Sequence, residues 1–241
     1  MTTISQRADA MAATADAKPV FDWLFALAVL AVAAVYVRAI YFTPMEARLG
    51  LAQKIYYLHV PSAIAGYLAV STSALMSIVY LWLRDERSDR LAEASAEVGL
   101  VCLTAVLTTG PLWARANWGT WWAWGDMRLT LTLFLWFLVA AYLVLRGAID
   151  DVAMRGRYSA VLAILGAVLI PFIHLSVYVF RGMHPDPIVL KPSQPSLPGE
   201  MLTTFFMGAL AFTLLCIALI RARYRYAVLH GRLALLDAER A

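Results

Sequence analysis

Histidine and tryptophan are the residues of this sequence whose types and spacing could support ligand chemistry. His59 lies in KIYYLHVPSA and His184 lies in FRGMHPDP. Four of the eight tryptophans fall within seven residues: Trp118, Trp121, Trp122 and Trp124. A neutral imidazole is a common axial ligand of haem iron, and two of them can bind the iron from both faces. Because indole rings bury large areas of a flat molecule, the pattern predicts an iron porphyrin ligated by His59 and His184 over a tryptophan platform.

Each of these residues also has an ordinary structural interpretation. Tryptophan is enriched where helices leave a membrane, but such a belt usually needs only one or two per helix end. A single histidine at a membrane boundary is more often hydrogen-bonded than metal-bound, whereas two on either side of a tryptophan segment favour ligation. His174, one turn after Pro171 inside a predicted span, either bonds to a neighbouring helix or has a functional role.

Charged residues near the same segment could bind the acidic groups of such a ligand. A planar guanidinium suits a carboxylate, and three arginines are candidates for the propionates: Arg115, Arg128 and Arg181. Each could equally contact solvent or lipid headgroups. Asp126 either orients a ligand or pairs locally with Arg128.

The elements that must position these residues are membrane helices. Of the 241 residues 62% are hydrophobic and 15% are charged, against roughly a quarter charged in soluble domains. Since a helical span takes about 20 apolar residues, the chain is predicted to be all-α, a single integral membrane domain over residues 1–241. The predicted spans are 22–40, 57–83, 96–113, 129–145, 158–179 and 201–220. A tryptophan-rich segment (114–128) and a proline-rich loop (180–200) then lie on the outer side.

The distribution of basic residues predicts the orientation of the chain. With the N-terminal tail in the cytoplasm, 13 of the 20 Lys and Arg residues lie on the cytoplasmic side and 7 on the outer side. Cytoplasmic loops are generally richer in Lys and Arg, so both termini are predicted to be cytoplasmic. The apolar run from Phe21 to Val37 is predicted to be an uncleaved first span, because acidic residues precede it and it is long for a signal peptide.

Several function classes are disfavoured by what the sequence contains. Cys102 and Cys216 lie in apolar runs without CxxC or CxxCH, so no disulfide framework or zinc site is indicated. No GxxxxGK[ST] motif occurs, so any ATP dependence must come from a partner. The basic residues are spread among loops, which argues against nucleic-acid binding. We therefore expect a binding and transfer protein rather than an enzyme.

The segment WGTWWAWGDMRLT at 118–130 resembles the tryptophan-rich signature of haem-handling membrane proteins of cytochrome c maturation. Together with YLHVPSA at the second span and a histidine after the fifth, it is similar to the CcmC family over about residues 21–220. The string departs from the family's W-x-W-D-x-R-L-T because Gly125 separates Trp124 from Asp126, which shifts the following residues by one position.

The resemblance implies haem b at the outer face of the inner membrane, with His59 and His184 as the axial ligands. The cofactor-binding set is then completed by the four tryptophans, Asp126 and Arg128. It further implies delivery of haem to the chaperone CcmE, in a complex with the ABC transporter subunits CcmA and CcmB and the small membrane protein CcmD. Two rival functions stay open: a b-type cytochrome exchanging electrons with quinone, and a permease for another flat or anionic molecule.

Overall fold

The structure, a computed structural model, describes residues 22–189, 191 and 193–238, and these form six long helices without a strand. Their bounds are α1 Trp23–Val37, α2 Tyr56–Leu83, α3 Glu86–Trp118, α4 Met127–Ala148, α5 Val152–Phe180 and α6 Gly199–Ala238. A π-helical turn, Arg38–Phe42, extends α1, and a 3-10 helix, Gly50–Ile55, precedes α2. The prediction of an all-α protein with six helices able to span a membrane is confirmed.

The helices are longer than most of the predicted spans. Helix α3 begins ten residues before its span and α6 continues well past residue 220. The reason for α3 is local: Asp85 accepts hydrogen bonds from the backbone of Arg87 and Ser88 and thereby caps the helix within a charged stretch. Residues 1–21, which carry the predicted cytoplasmic N-terminal tail, and residues 190, 192 and 239–241 lie outside the described part of the chain.

Close packing of α2 against α3 forms the centre of the bundle. Small residues make this approach possible: a Cβ on Gly99 would lie 3.1 Å from Val70, and one on Gly66 would lie 3.3 Å from the Cβ of Cys102. Small residues at helix contacts are typical of membrane bundles, where van der Waals packing drives association. Cys102 and Cys216 are both free thiols within apolar packing.

The remaining helices pack around this central pair. Helix α4 packs on α5 and α3, helix α5 also contacts α2, and α6 lies between α1 and the central pair. This arrangement brings five helix ends together: the starts of α2, α4 and α6 and the ends of α3 and α5. The segments that carry the predicted site residues therefore meet at one end of the bundle.

Ion pairs hold the opposite end of the bundle. Arg146 of α4, with 6% of its surface exposed, donates from both terminal nitrogens to the carboxylate of Asp89 at 2.7 and 2.8 Å, and also to Glu93 at 3.1 Å. Asp22, at the start of α1, pairs with Arg221 and Arg225 of α6. The first helix therefore begins on the side where α6 carries its basic cluster, while the cytoplasmic location of that side stays a prediction.

We expect Arg146→Met to lower the free energy of unfolding by about 3–5 kcal/mol, because it leaves the carboxylate of Asp89 buried without its partner. The measurement is thermal or denaturant unfolding in detergent micelles. Arg90→Met is the matched control, since Arg90 makes only a partly exposed pair with Glu86 and should cost less than about 1 kcal/mol. Equal losses from the two changes would contradict the role given to Arg146.

Candidate ligand-binding site

A cavity of about 430 Å³ lies where the five helix ends meet. Its size is within the range typical of small-molecule and cofactor sites. The lining is mostly apolar and aromatic, and it includes three of the four histidines: His59, His174 and His184. Although His59 and His184 are far apart in sequence, the fold brings them to the same cavity.

His59 is held by two consecutive residues of α3. Its Nδ1 lies 2.9 Å from the hydroxyl oxygen of Thr109, and a Cβ on Gly110 would lie 3.3 Å from its Cε1. His59 itself belongs to the first turn of α2. The ring is therefore enclosed between two packed helices.

His184 lies instead in the irregular segment that follows α5. The C-cap of that helix, Arg181, is in the left-handed conformation, with φ 46°. The backbone N–H of His184 donates to Asp126 at 2.8 Å. Its Nδ1 lies 2.9 Å from the carbonyl oxygen of Pro185 and 3.2 Å from Nη1 of Arg128. In both histidines Nδ1 makes a hydrogen bond, so Nε2 is the ring nitrogen that remains available to a ligand.

Asp126 and Arg128 fix the geometry around His184 from the start of α4. The carboxylate of Asp126, only 2% exposed, caps α4 by accepting from the backbone N–H groups of Arg128 and Leu129. The guanidinium of Arg128 lines the cavity and also donates to the backbone carbonyls of Ile173 and His174 in α5. Asp126 thus supports the site from behind, and Arg128 contributes a positive charge to it.

Gly182 makes the contact between Asp126 and the His184 segment possible. A Cβ at this position would lie 2.3 Å from Oδ2 of Asp126, far inside the normal contact distance. The carboxylate has no freedom to retreat, because three backbone N–H groups already hold it. Glycine is therefore required here by close approach.

The predicted tryptophan platform is divided by the fold. Trp118, the last residue of α3, and Trp122 line the cavity, whereas Trp121 and Trp124 are 57% and 76% exposed and lie outside the lining found among the described residues. A further aromatic, Trp113, lines the cavity and packs edge-on against Trp118 with ring centroids 5.2 Å apart. The residue that follows α3 is its C-cap, Gly119, with φ 74°.

The contacts that the structure gives for Arg115 and around Gly125 are with neighbouring residues of the chain. Arg115 is exposed, donates to the carbonyl of Gly119 and lies over the ring of Trp121. Arg181 is exposed at the end of α5. Gly125 lies in a turn closed by a 2.9 Å hydrogen bond from the N–H of Asp126 to the carbonyl of Ala123. This turn accommodates Gly125, and Arg128 lines the cavity.

The electrostatics favour a neutral imidazole at His184. Burial and the positive charge of Arg128 lower the pKa of His184 below its usual value, and they outweigh the carbonyl of Pro185 and the charge of Asp126, which raise it. A neutral ring retains the lone pair that a metal ligand needs. The lowered pKa therefore favours the neutral form of His184 near neutral pH.

Several residues of the site carry no recognisable signal in the sequence. Gly110 in the lining and Thr109 behind His59 lie in an ordinary apolar helix, and Phe205 comes from α6, which contains none of the predicted site residues. Trp113 is nearest to a sequence signal, since it lies in the same helix as Trp118. The tryptophan-rich segment predicted from the sequence is 114–128, whereas Trp113 in the preceding turn of α3 also lines the cavity.

The residues present suit a flat apolar metal complex with polar substituents. Three imidazoles, those of His59, His174 and His184, share the aromatic cavity with one guanidinium. In addition, Nε1 of Trp122 and Oε1 of Gln53 are buried and make no hydrogen bond to any described residue. Since buried polar groups normally have partners, these two atoms fit a ligand that supplies them.

Comparison with known proteins identifies one family over almost the whole chain. The family model described as "CcmC: Heme exporter protein C" matches residues 3–238. Proteins from several bacteria that are named Heme exporter protein C are similar in sequence to this chain. The Bradyrhizobium diazoefficiens protein is 33% identical over 90% of this chain and 82% of its own length. The one from Haemophilus influenzae is 31% identical over 78% and 76%.

The Escherichia coli K12 protein of the same name is also 31% identical, over 75% of this chain and 77% of its own length. The resemblance seen in the tryptophan-rich segment is thereby confirmed, and the six apolar helices make the chain a multi-pass membrane protein. The chain belongs to the CcmC family.

Proposed function

We propose that this protein handles haem in cytochrome c maturation by binding haem b at the outer face of the inner membrane. Haem is the cargo, and His59 and His184 are its two axial ligands. The aromatic lining, including Trp118 and Trp122, contacts the porphyrin faces, and Arg128 binds an acidic substituent. The protein then delivers the haem to the chaperone CcmE, together with the ABC transporter subunits CcmA and CcmB and the small protein CcmD.

One observation carries this proposal: two histidines 125 positions apart line the same aromatic cavity, and each has its Nδ1 in a hydrogen bond. Histidines that bind metals through Nε2 almost always use the other ring nitrogen to donate to a protein group. The Thr109 hydroxyl and the Pro185 carbonyl can accept such bonds. Both rings then keep Nε2 free for the iron before any partner takes part.

The chain's own residues supply binding, orientation and exclusion of water rather than covalent chemistry. The aromatic walls bury the apolar porphyrin surface, which favours retention of haem. Arg128 is positioned by two backbone carbonyls of α5, so it is ready to bind a carboxylate without reorganisation. The transfer to a partner then depends on weakening one of the two histidine bonds.

The histidine assignment predicts the absorption spectrum of the purified protein. Wild type should show the sharp Soret band of low-spin, six-coordinate haem, and His59→Ala or His184→Ala should each lose this signature. Added imidazole should restore it in part, because free imidazole can occupy the vacated position. Absorption spectra of oxidised and dithionite-reduced protein measure this.

Two other histidines provide matched controls. His174→Ala removes the third imidazole of the cavity, and His230→Ala removes an exposed one at the far end of α6. Both variants should keep the six-coordinate spectrum. Loss of the signature in His174→Ala with retention in His184→Ala would show that the ligand pair is a different one.

The close approach at Gly182 predicts a second effect. Gly182→Ala should weaken haem binding about 10-fold or more, because its methyl group displaces the Asp126 carboxylate that holds the His184 backbone, and loss of such supporting contacts typically costs 10–100-fold in metal affinity. Haem titration of the apo protein measures this. Gly125→Ala is the control, since a Cβ there meets nothing within 4 Å. Equal effects of the two changes would contradict the proposed role of Gly182.

A further inference from the structure

The two histidines of the cavity are supported in different ways, and this difference bears on how haem leaves. His59 is part of a helix and has one hydrogen-bond partner at Nδ1, the Thr109 hydroxyl. His184 is part of an irregular segment and has two candidate partners at Nδ1. In the proposed function, on which this inference rests, both rings bind haem iron.

Thr109 determines which nitrogen of His59 carries the proton. A threonine hydroxyl has one proton to donate, and that of Thr109 is directed to the carbonyl of Ala105 at 2.7 Å. Its oxygen therefore accepts from His59, so the proton of the neutral ring lies on Nδ1. The lone pair on Nε2 is then available to a metal without rearrangement.

At His184 the two partners of Nδ1 require different tautomers of the neutral ring, one with the proton on Nδ1 and one with the proton on Nε2. Arg128 can only donate a hydrogen bond, and the carbonyl oxygen of Pro185 can only accept one. When Nδ1–H donates to Pro185, Nε2 has a lone pair and can bind iron. When Arg128 donates to Nδ1, the single proton of the neutral ring lies on Nε2, which then cannot bind a metal.

We propose that His59, positioned by Thr109, is the ligand that retains haem, and that His184 is the ligand that is released first. During release the bond between iron and Nε2 of His184 breaks, and its electron pair stays with the nitrogen. The ring proton passes from Nδ1 to Nε2 through water, and Arg128 donates to the vacated Nδ1. The iron keeps its oxidation state and becomes five-coordinate, still bound to His59.

Haem retention in the full-length protein tests the order of release. Haem-loaded variants are mixed with excess apomyoglobin, and the rate of haem transfer and the spin state are followed by absorption. His184→Ala should keep a five-coordinate, high-spin haem, and His59→Ala should lose haem at least 10-fold faster than His184→Ala. Equal rates, or faster loss from His184→Ala, would overturn the order proposed.

The role of Thr109 is tested by substituting it, with the neighbouring Thr108 as the matched control. Thr109→Val should accelerate haem loss about 10-fold, within the range for partners of metal ligands, and Thr109→Ser should restore the wild-type rate. Thr108→Val is the control, because Thr108 makes the same kind of bond to its own helix, to the carbonyl of Thr104, but is exposed. An unchanged rate in Thr109→Val would overturn the role given to Thr109.

A measurement on the haem-free protein separates this inference from the proposed function. The ¹⁵N shifts of the ring nitrogens should show His59 in the Nδ1–H tautomer alone in wild type, with the Nε2–H form appearing in Thr109→Val. His184 should populate both tautomers. A single Nε2–H form at His59 would overturn the inference even if haem binds, whereas failure of wild type to bind haem would contradict the proposed function instead.

Discussion

The carboxylate of Asp126 holds together the two parts of the chain that form the site. One oxygen caps the start of α4, and the other accepts the backbone N–H of His184, 58 residues further along the chain. A buried carboxylate is stable only when its hydrogen-bonding capacity is used, and here backbone groups from two segments use it. The position of His184 is consequently tied to the start of α4, from which Arg128 also reaches the cavity.

The membrane explains why the remaining structure is so regular. Backbone polar groups have no water partners within lipid, so the chain crosses it as helices, and irregular backbone is concentrated where the cavity forms. Small residues such as Gly66 and Gly99 let α2 and α3 approach closely. The buried pair of Arg146 and Asp89 joins α3 to α4 at the opposite end. The close approach of α2 and α3 fixes the helices that carry His59 and Thr109, and the ion pair fixes those that carry Thr109 and Arg128.

The amino-acid sequence alone is enough to predict the fold class, the six helices and the family. Long apolar runs leave few alternatives to membrane helices, and the tryptophan string with its flanking histidines is specific enough to identify relatives. It also indicated His59 and His184 as residues that belong together, although they are far apart along the chain. These results depend on composition and local pattern, which do not require knowledge of how the helices pack.

The packed arrangement of the helices, by contrast, was needed to show which side chains face one another. It separated Trp118 and Trp122, at the cavity, from the exposed Trp121 and Trp124. It also gave Asp126 its role as a helix cap and support, and brought Thr109 to His59. A hydrogen bond between residues 50 positions apart depends on the rotation and depth of two packed helices. Many residues contribute to that packing, so no local sequence pattern records it.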